Sequence, residues 1–229
     1  MPTTQYPTRT FDTPAPITTV LDVPAGHIRL IAADRPDTTV EILPADPARS
    51  RDVKAAGQIE TGYADGVLRI TAPANNRYAG PCGTVEITVQ LPAGSRIEGK
   101  QAAGGLRGVG RLGDVTLETA QGPVRLDETA TARLTTRDGD ITIGRLTGPA
   151  QLTTQRGDIR ITEATTGTLT LHTQHGHISA GAARAVSATL NAHTGYGRIH
   201  NTLNNTHGPT AALTIHATTH HGDITAHSL

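Results

Sequence analysis

The 229-residue sequence has one cysteine, no tryptophan, two lysines and no long hydrophobic run. A single cysteine, Cys82, excludes an internal disulfide, and its Gly-Pro-Cys-Gly setting indicates a loop. The first residues lack the basic and apolar regions of a secretory signal. No apolar stretch reaches the roughly 18 residues that a membrane-spanning helix needs. We therefore expect a cytoplasmic protein that does not insert into a membrane.

Charge and aromatic content argue against a nucleic-acid partner. The 20 Lys and Arg residues equal the 20 Asp and Glu residues, so the formal net charge is zero. Non-specific binding to nucleic acid depends on basic side chains that neutralise phosphates. Aromatic residues, which stack on unpaired bases, make up only 2% of the chain. The composition predicts no nucleic-acid binding.

A glycine-centred repeat occupies the chain from residue 97 to the C-terminus. Its glycines are separated by 18, 17, 18, 19, 21 and 25 residues in chain order: Gly104, Gly122, Gly139, Gly157, Gly176, Gly197 and Gly222. A near-constant period of this length is typical of solenoid proteins, in which each repeat forms one layer.

The positions around each glycine alternate between apolar and polar residues. The residues two after the glycine, and those five and seven before it, are apolar in nearly every copy. This alternation indicates two short strands joined by a tight corner, and stacking such units about 4.8 Å apart gives a continuous core. We predict an all-β fold, a single elongated β-solenoid that is parallel β-helix-like, with about 17–19 residues per rung and an N-terminal β cap.

A threonine stands three residues before the glycine in every copy but the first. Its position shares the inward parity of the apolar columns. We therefore expect an interior threonine ladder rather than an outward row of hydroxyls for ice or polysaccharide.

The chain divides at residue 93 in this interpretation. Residues 1–93 are predicted to be an N-terminal arm, β cap and early degenerate rungs, because Gly26-His27-Ile28 repeats the corner motif. Residues 94–229 are the β-solenoid repeats. The chain stops directly after its last repeat, so we expect an uncapped C-terminal rung, covered by the chain's own arm or used in a homodimer.

Two motifs carry a resemblance to a known family. They are Leu91-Pro92-Ala93-Gly94-Ser95 before the repeats and the Gly-Asp-Ile corners at Gly139, Gly157 and Gly222. The chain resembles the bacterial putative-adhesin-like family of unknown function with β-strand repeats. The resemblance implies surface adhesion and names no catalytic residues. The chain departs from the pattern by lacking an export signal and by carrying His177 and Arg198 where other corners have aspartate.

Histidines concentrate in the C-terminal part, where ten of the 11 lie at or after residue 172. The repeat places His172 and His193 on an outward column in what we predict to be adjacent rungs. Asp158, His177 and Arg198 share the outward row after the glycine, and His200 lies two residues beyond Arg198. These histidines are interpreted as solvated surface residues, as a weak metal site at His172 and His193, as acid–base groups, or as a pH-dependent association surface.

The leading hypothesis for function is a non-enzymatic scaffold or interaction protein that binds a protein or polymer partner. The alternative is a cofactor-independent isomerase, lyase or cyclase. In that alternative His172 or His193 is the base, Asp158 orients His177, and Arg198 binds an anionic oxygen. Neither hypothesis requires a cofactor.

Overall fold

The computed structural model describes residues 8–73, 83–206 and 208–229, so the predictions for Cys82 and His207 lie outside the described residues. Those residues form one α-helix, α1 (Ser50–Gln58), a 3-10 turn at Gly208–Thr210, and 18 strands: β1 (Arg9–Asp12), β2 (Thr18–Ala33), β3 (Asp37–Pro44), β4 (Glu60–Ala64), β5 (Val67–Thr71), β6 (Val85–Pro92), β7 (Arg96–Ala103), β8 (Leu106–Gln121), β9 (Val124–Asp138), β10 (Ile141–Leu146), β11 (Ala150–Arg156), β12 (Ile159–Ala164), β13 (Gly167–His175), β14 (Ile178–Ala182), β15 (Ala188–Tyr196), β16 (Ile199–Thr202), β17 (Leu213–His221) and β18 (Ile224–Ser228). None of the helical segments in this part of the chain has the length and apolar character needed to cross a bilayer.

The prediction of an all-β fold is confirmed, and most strand pairs are parallel. Equivalent positions of successive repeats pair in register: Ile141 is opposite Val124 on one side and Ile159 on the other. Ile159 in turn pairs with Ile178. The apolar columns predicted from the sequence therefore lie on successive layers of one interior, and Ile141, Ile159 and Ile178 are each at most 1% exposed.

The glycine at each corner is required by the backbone itself. Gly157 has a φ of +144°, and a Cβ at that position would lie 2.3 Å from the carbonyl oxygen of Gly139 one rung away. A Cβ on Gly176 would lie 2.0 Å from the Gly157 oxygen. Because neither position has room for a side chain, the repeat keeps glycine at the corner.

The threonine ladder predicted from parity is inside. Thr154, Thr173 and Thr219 are at most 1% exposed. The Thr173 hydroxyl donates to the carbonyl oxygen of Gly157 at 3.0 Å, and Thr219 donates to Gly176 at 3.0 Å. Each hydroxyl therefore satisfies a buried corner carbonyl, which would otherwise cost free energy.

The order of the last two rungs differs from the order of the sequence. Strand β17 lies between β13 and β15, and β18 lies between β14 and β16. The prediction that residues 213–229 form the outermost rung is therefore wrong. The outermost rung is formed by residues 188–202, and the last segment of the chain fills the layer beneath it. The chain jumps one layer outward after β14 and returns through residues 203–212.

The N-terminal end has a matching arrangement. Strand β2 lies between a rung formed by β5 and β6 and a rung formed by β7 and the start of β8. The ladder thus crosses the predicted boundary at residue 93 without a break. Antiparallel strands β3 and β4 cover β6 and β5, and β1 pairs with β3.

Helix α1 closes this same end of the core. Its Ala56 is 6% exposed and belongs to the core, and the Asp52 carboxylate accepts the backbone N–H of Thr84 at 2.9 Å. The helix contacts β3 and β6. The end near the N-terminus is therefore covered both along its strand edges and over its apolar interior.

The corner geometry predicts a large difference between two glycine-to-alanine substitutions. Gly157→Ala should lower the free energy of unfolding by roughly 3 kcal/mol, because it combines a strained φ with a backbone clash. Gly57→Ala, in α1 with open space around it, should instead be neutral or raise stability by up to about 1 kcal/mol. Urea unfolding of both variants measures this, and equal effects would contradict the role assigned to the corner.

Candidate functional site

The outward histidine column does not bring His172 and His193 together. His172 pairs with Thr218, and Thr218 pairs on its other side with His193. The two histidines are therefore two rungs apart, about 9.6 Å along the stack, instead of on adjacent rungs as predicted from the sequence order.

The row after the corner glycine is a ladder of side-chain acceptors. The Asp140 carboxylate accepts the backbone N–H of Asp158 at 2.9 Å, and the Asp158 carboxylate accepts that of His177 at 2.8 Å. The His177 Nδ1 atom then accepts the backbone N–H of Asp223 at 2.9 Å, and Asp223 accepts that of Arg198 at 2.8 Å.

This ladder changes the roles expected for three residues. Asp158 binds the main chain of His177 instead of orienting its ring, and Asp223 lies between His177 and Arg198. Because His177 Nδ1 is an acceptor here, its ring replaces the aspartate of other corners as part of the backbone ladder. His200 is on a different column, where it pairs with Thr225.

The residue directly before the corner glycine carries a ring in three layers, and these rings stack on one another. His175, His221 and Tyr196 lie in consecutive layers, with ring centroids 5.0 Å and 4.8 Å apart and planes within 10° of parallel. Tyr196 is at the outer end and is 73% exposed. The sequence order puts Tyr196 next to His175, whereas in the structure His221 lies between these two rings.

Concave surfaces lie elsewhere on the molecule. One groove of about 600 Å³ is lined by residues between Asp22 and Gln155 on the first strands of the rungs. Another, of about 420 Å³, is lined by residues between His27 and Arg125. Neither contains any of the six predicted site residues. Across the described ranges, no three His, Cys, Asp or Glu side chains are grouped so that they could hold a metal ion.

Comparison with known proteins identifies the family. The sequence pattern of Toastrack DUF4097 matches residues 93–227, more than half of the chain. The chain belongs to the Toastrack DUF4097 family. The resemblance to adhesin-like proteins of unknown function is thus confirmed, while no curated protein matches the sequence.

Solved structures that resemble this Toastrack chain have low sequence identity to it. A putative adhesin from Bacteroides fragilis is 13% identical, with 98% of each chain covered and a TM-score of 0.53. A putative lipid binding protein from Parabacteroides distasonis is 11% identical, with 97% of each chain covered and a TM-score of 0.41. At such identities the first likeness shows the fold alone, and the second supports no argument.

One functional candidate was not predicted from the sequence. Arginines stand three residues after the corner glycine in three successive layers, at Arg29, Arg107 and Arg125, and all three line the 420 Å³ groove. Counting positions from each corner glycine, which located the histidines, would also have located these arginines.

The order of the outer layers can be tested with paired cysteines in a Cys82→Ser background. His172→Cys with Thr218→Cys should form a disulfide on oxidation, because these two residues pair on adjacent layers, which places the Cα atoms within the range that a disulfide spans. His172→Cys with His193→Cys should stay reduced. Thiol labelling and peptide mapping distinguish the two pairs, and a disulfide in the second pair alone would restore the sequence order.

Proposed function

We propose that this protein is a non-enzymatic interaction scaffold in which a second copy docks on the open end. The open end is the outermost rung, residues 188–202, made of β15 and β16. The observation that carries the proposal is that this rung has a strand on one side only, while its inward residues are apolar and partly exposed.

In the described part of the chain no strand pairs with the outer edge of the open end, where the Ala188 N–H donates to the Asn204 carbonyl oxygen at 3.0 Å. β15 pairs with β17 and β16 pairs with β18, with no further strand beyond them. Exposed edges of this kind recruit another strand, and proteins that avoid such pairing carry lysine, proline or inward charges there. Residues 188–202 contain no lysine and no proline, and their one formal charge at neutral pH is that of Arg198.

Apolar side chains at the open end are less buried than their equivalents one layer inward. Ile199 is 46% exposed, whereas Ile224, its partner in the next layer, is 1% exposed. Leu190 and Ala192 are half-buried, although their partners in β17 are at most 1% exposed. Covering these residues would remove apolar surface from water, which stabilises association.

A second copy fits this surface because one edge can meet its own copy across a two-fold axis. Such a contact is isologous, and it brings the two edge strands together antiparallel. The low charge of the rung limits repulsion between the two copies. At the other end of the stack α1 lies over the interior, and the strands that pair on one side only among the described residues are the short antiparallel strands β1 and β4 instead of a rung.

We infer that residues 1–93 serve as the N-terminal arm, the β cap and early rungs that include β2, β5 and β6, and that residues 94–229 form a parallel β-helix-like repeat array. The ladder of strands is continuous between the two parts, so the proposed division is one of role. A terminal cap is what a stacked-repeat protein needs to keep its end from associating. With a cap at the other end, the open end is the surface that we propose for an assembly of two copies.

The enzymatic alternative lacks comparable support. A catalytic site needs several reacting groups in one concave pocket. His172, His193 and His200 occupy separate outward positions, and none of them lines the two grooves described above.

Sedimentation equilibrium or light scattering tests the docking of a second copy. The wild-type chain should be a dimer at micromolar concentration. Ala192→Lys should raise the dissociation constant at least about tenfold, corresponding to about 1.4 kcal/mol, because an inward lysine blocks edge pairing.

Thr153→Lys is the matched control, since it adds the same charge on an outward column of β11, a strand that is paired on both sides. That variant should dimerise like the wild type. A wild-type chain that stays monomeric at high concentration, or equal weakening by both lysines, would overturn the proposal.

A further inference from the structure

An arginine column crosses the groove of about 420 Å³ on the second strands of the early rungs. Arg29 in β2 pairs with Arg107 in β8, and Arg107 pairs with Arg125 in β9. All three side chains are exposed and line the groove. Adjacent layers are about 4.8 Å apart, so three guanidinium groups recur at the rung spacing.

The column contrasts with the other charged columns of the same stack. In one of these, Arg111, Glu128, Arg145 and Glu163 alternate in sign along successive layers. Elsewhere Lys100 lies 3.5 Å from Glu118, and Arg156 lies 2.7 Å from Asp138. Like charges on neighbouring strands destabilise a sheet, whereas opposite charges stabilise it.

One of the three arginines is held in place by an acidic side chain. Arg107 Nη2 lies 2.6 Å from the Asp127 carboxylate. Among the described residues, no carboxylate lies within ion-pair distance of Arg29 or Arg125. The only acidic residue lining the groove is Glu86, so the groove keeps a net positive charge.

In the layers of Arg107 and Arg125, the row after the glycine has no polar side chain. Gly105 and Pro123 occupy the positions that Asp140 and Asp158 fill further along the stack, and His27 occupies this position in the layer of Arg29. The aspartate row of the later corners is therefore absent beside these three arginines. Positive groups repeated along an open, positively charged groove match a ligand that itself carries repeated negative groups.

We propose that this arginine groove binds an acidic polysaccharide, with carboxylates of successive uronate units engaged by guanidinium groups of successive rungs. Arginine donates two parallel hydrogen bonds to a carboxylate, which gives both strength and orientation. Among the described residues, no Phe, Tyr or Trp lines the groove, so it lacks the large aromatic rings on which unpaired bases stack. Such polymers are found mainly outside cells, so this proposal departs from the cytoplasmic location expected from the N-terminal residues.

Calorimetry or affinity electrophoresis with polygalacturonate tests the proposal. The wild-type chain should bind, with an affinity that falls as salt rises, and fully methyl-esterified polygalacturonate should not bind. The double variant Arg29→Gln/Arg125→Gln should bind at least about tenfold more weakly and with a shallower salt dependence, because two charge-assisted contacts are lost.

Arg133→Gln/Arg137→Gln is the matched control, with the same change in charge at exposed positions outside the groove. It should bind like the wild type. Equal loss in both double variants, retained binding to the methyl ester, or tighter binding to an oligothymidine than to polygalacturonate would each overturn the proposal.

Thermal unfolding separates lost binding from lost folding. Removing two like charges from the column should leave the melting temperature of Arg29→Gln/Arg125→Gln unchanged or higher. If that variant is less stable than Arg133→Gln/Arg137→Gln, the column is structural and the proposal fails. The open end is remote in sequence from these arginines, so dimerisation should persist in both variants and is judged separately.

Discussion

Close contact between corner glycines determines the geometry of the stack. Each glycine α-carbon packs so tightly against the glycine carbonyl of the neighbouring layer that a Cβ would come within about 2 Å of that oxygen, as at Gly176 over Gly157. The same Gly157 oxygen accepts the hydroxyl of Thr173. The contact thus fixes where one layer lies on the next, and the threonine supplies the hydrogen bond that the corner carbonyl needs. The outward acceptor ladder of Asp140, Asp158, His177 and Asp223 follows from the same alignment.

The sequence predicted what each layer looks like but not which layers are neighbours. Every repeat carries the same glycine and similar apolar columns, and every repeat after the first carries the inward threonine, so these positions alone do not specify which layers stack on each other. The stacking order of the layers must then be determined by the segments that connect the repeats. The two longest glycine spacings, 21 and 25 residues, precede Gly197 and Gly222, and these are the stretches that jump outward and return. The length of these two stretches was the available signal in the sequence.

Because the order of the layers was not known, the prediction of a functional site was limited as well. Column arithmetic correctly assigned His172 and His193 to one outward column, yet it could not show that Thr218 separates them. It also treated Asp158 and His177 as a catalytic pair, although their contact runs through the main chain. The arginine groove was missed for a different reason. A net charge of zero for the whole chain does not reveal a local excess of positive charge. In addition, Arg29 lies in a segment where the repeat is degenerate.

The buried position of the final strands has a consequence for synthesis. The ribosome makes residues 188–202 before residues 213–229, so the outermost layer emerges while the layer that supports it is still missing. A nascent chain at that stage has a choice: residues 188–202 can occupy the vacant place over β13 and β14, in the order that the repeat alone would favour. Reaching the arrangement seen in the structure then requires either that residues 188–202 stay undocked until residues 213–229 have been made, or that they leave that place afterwards.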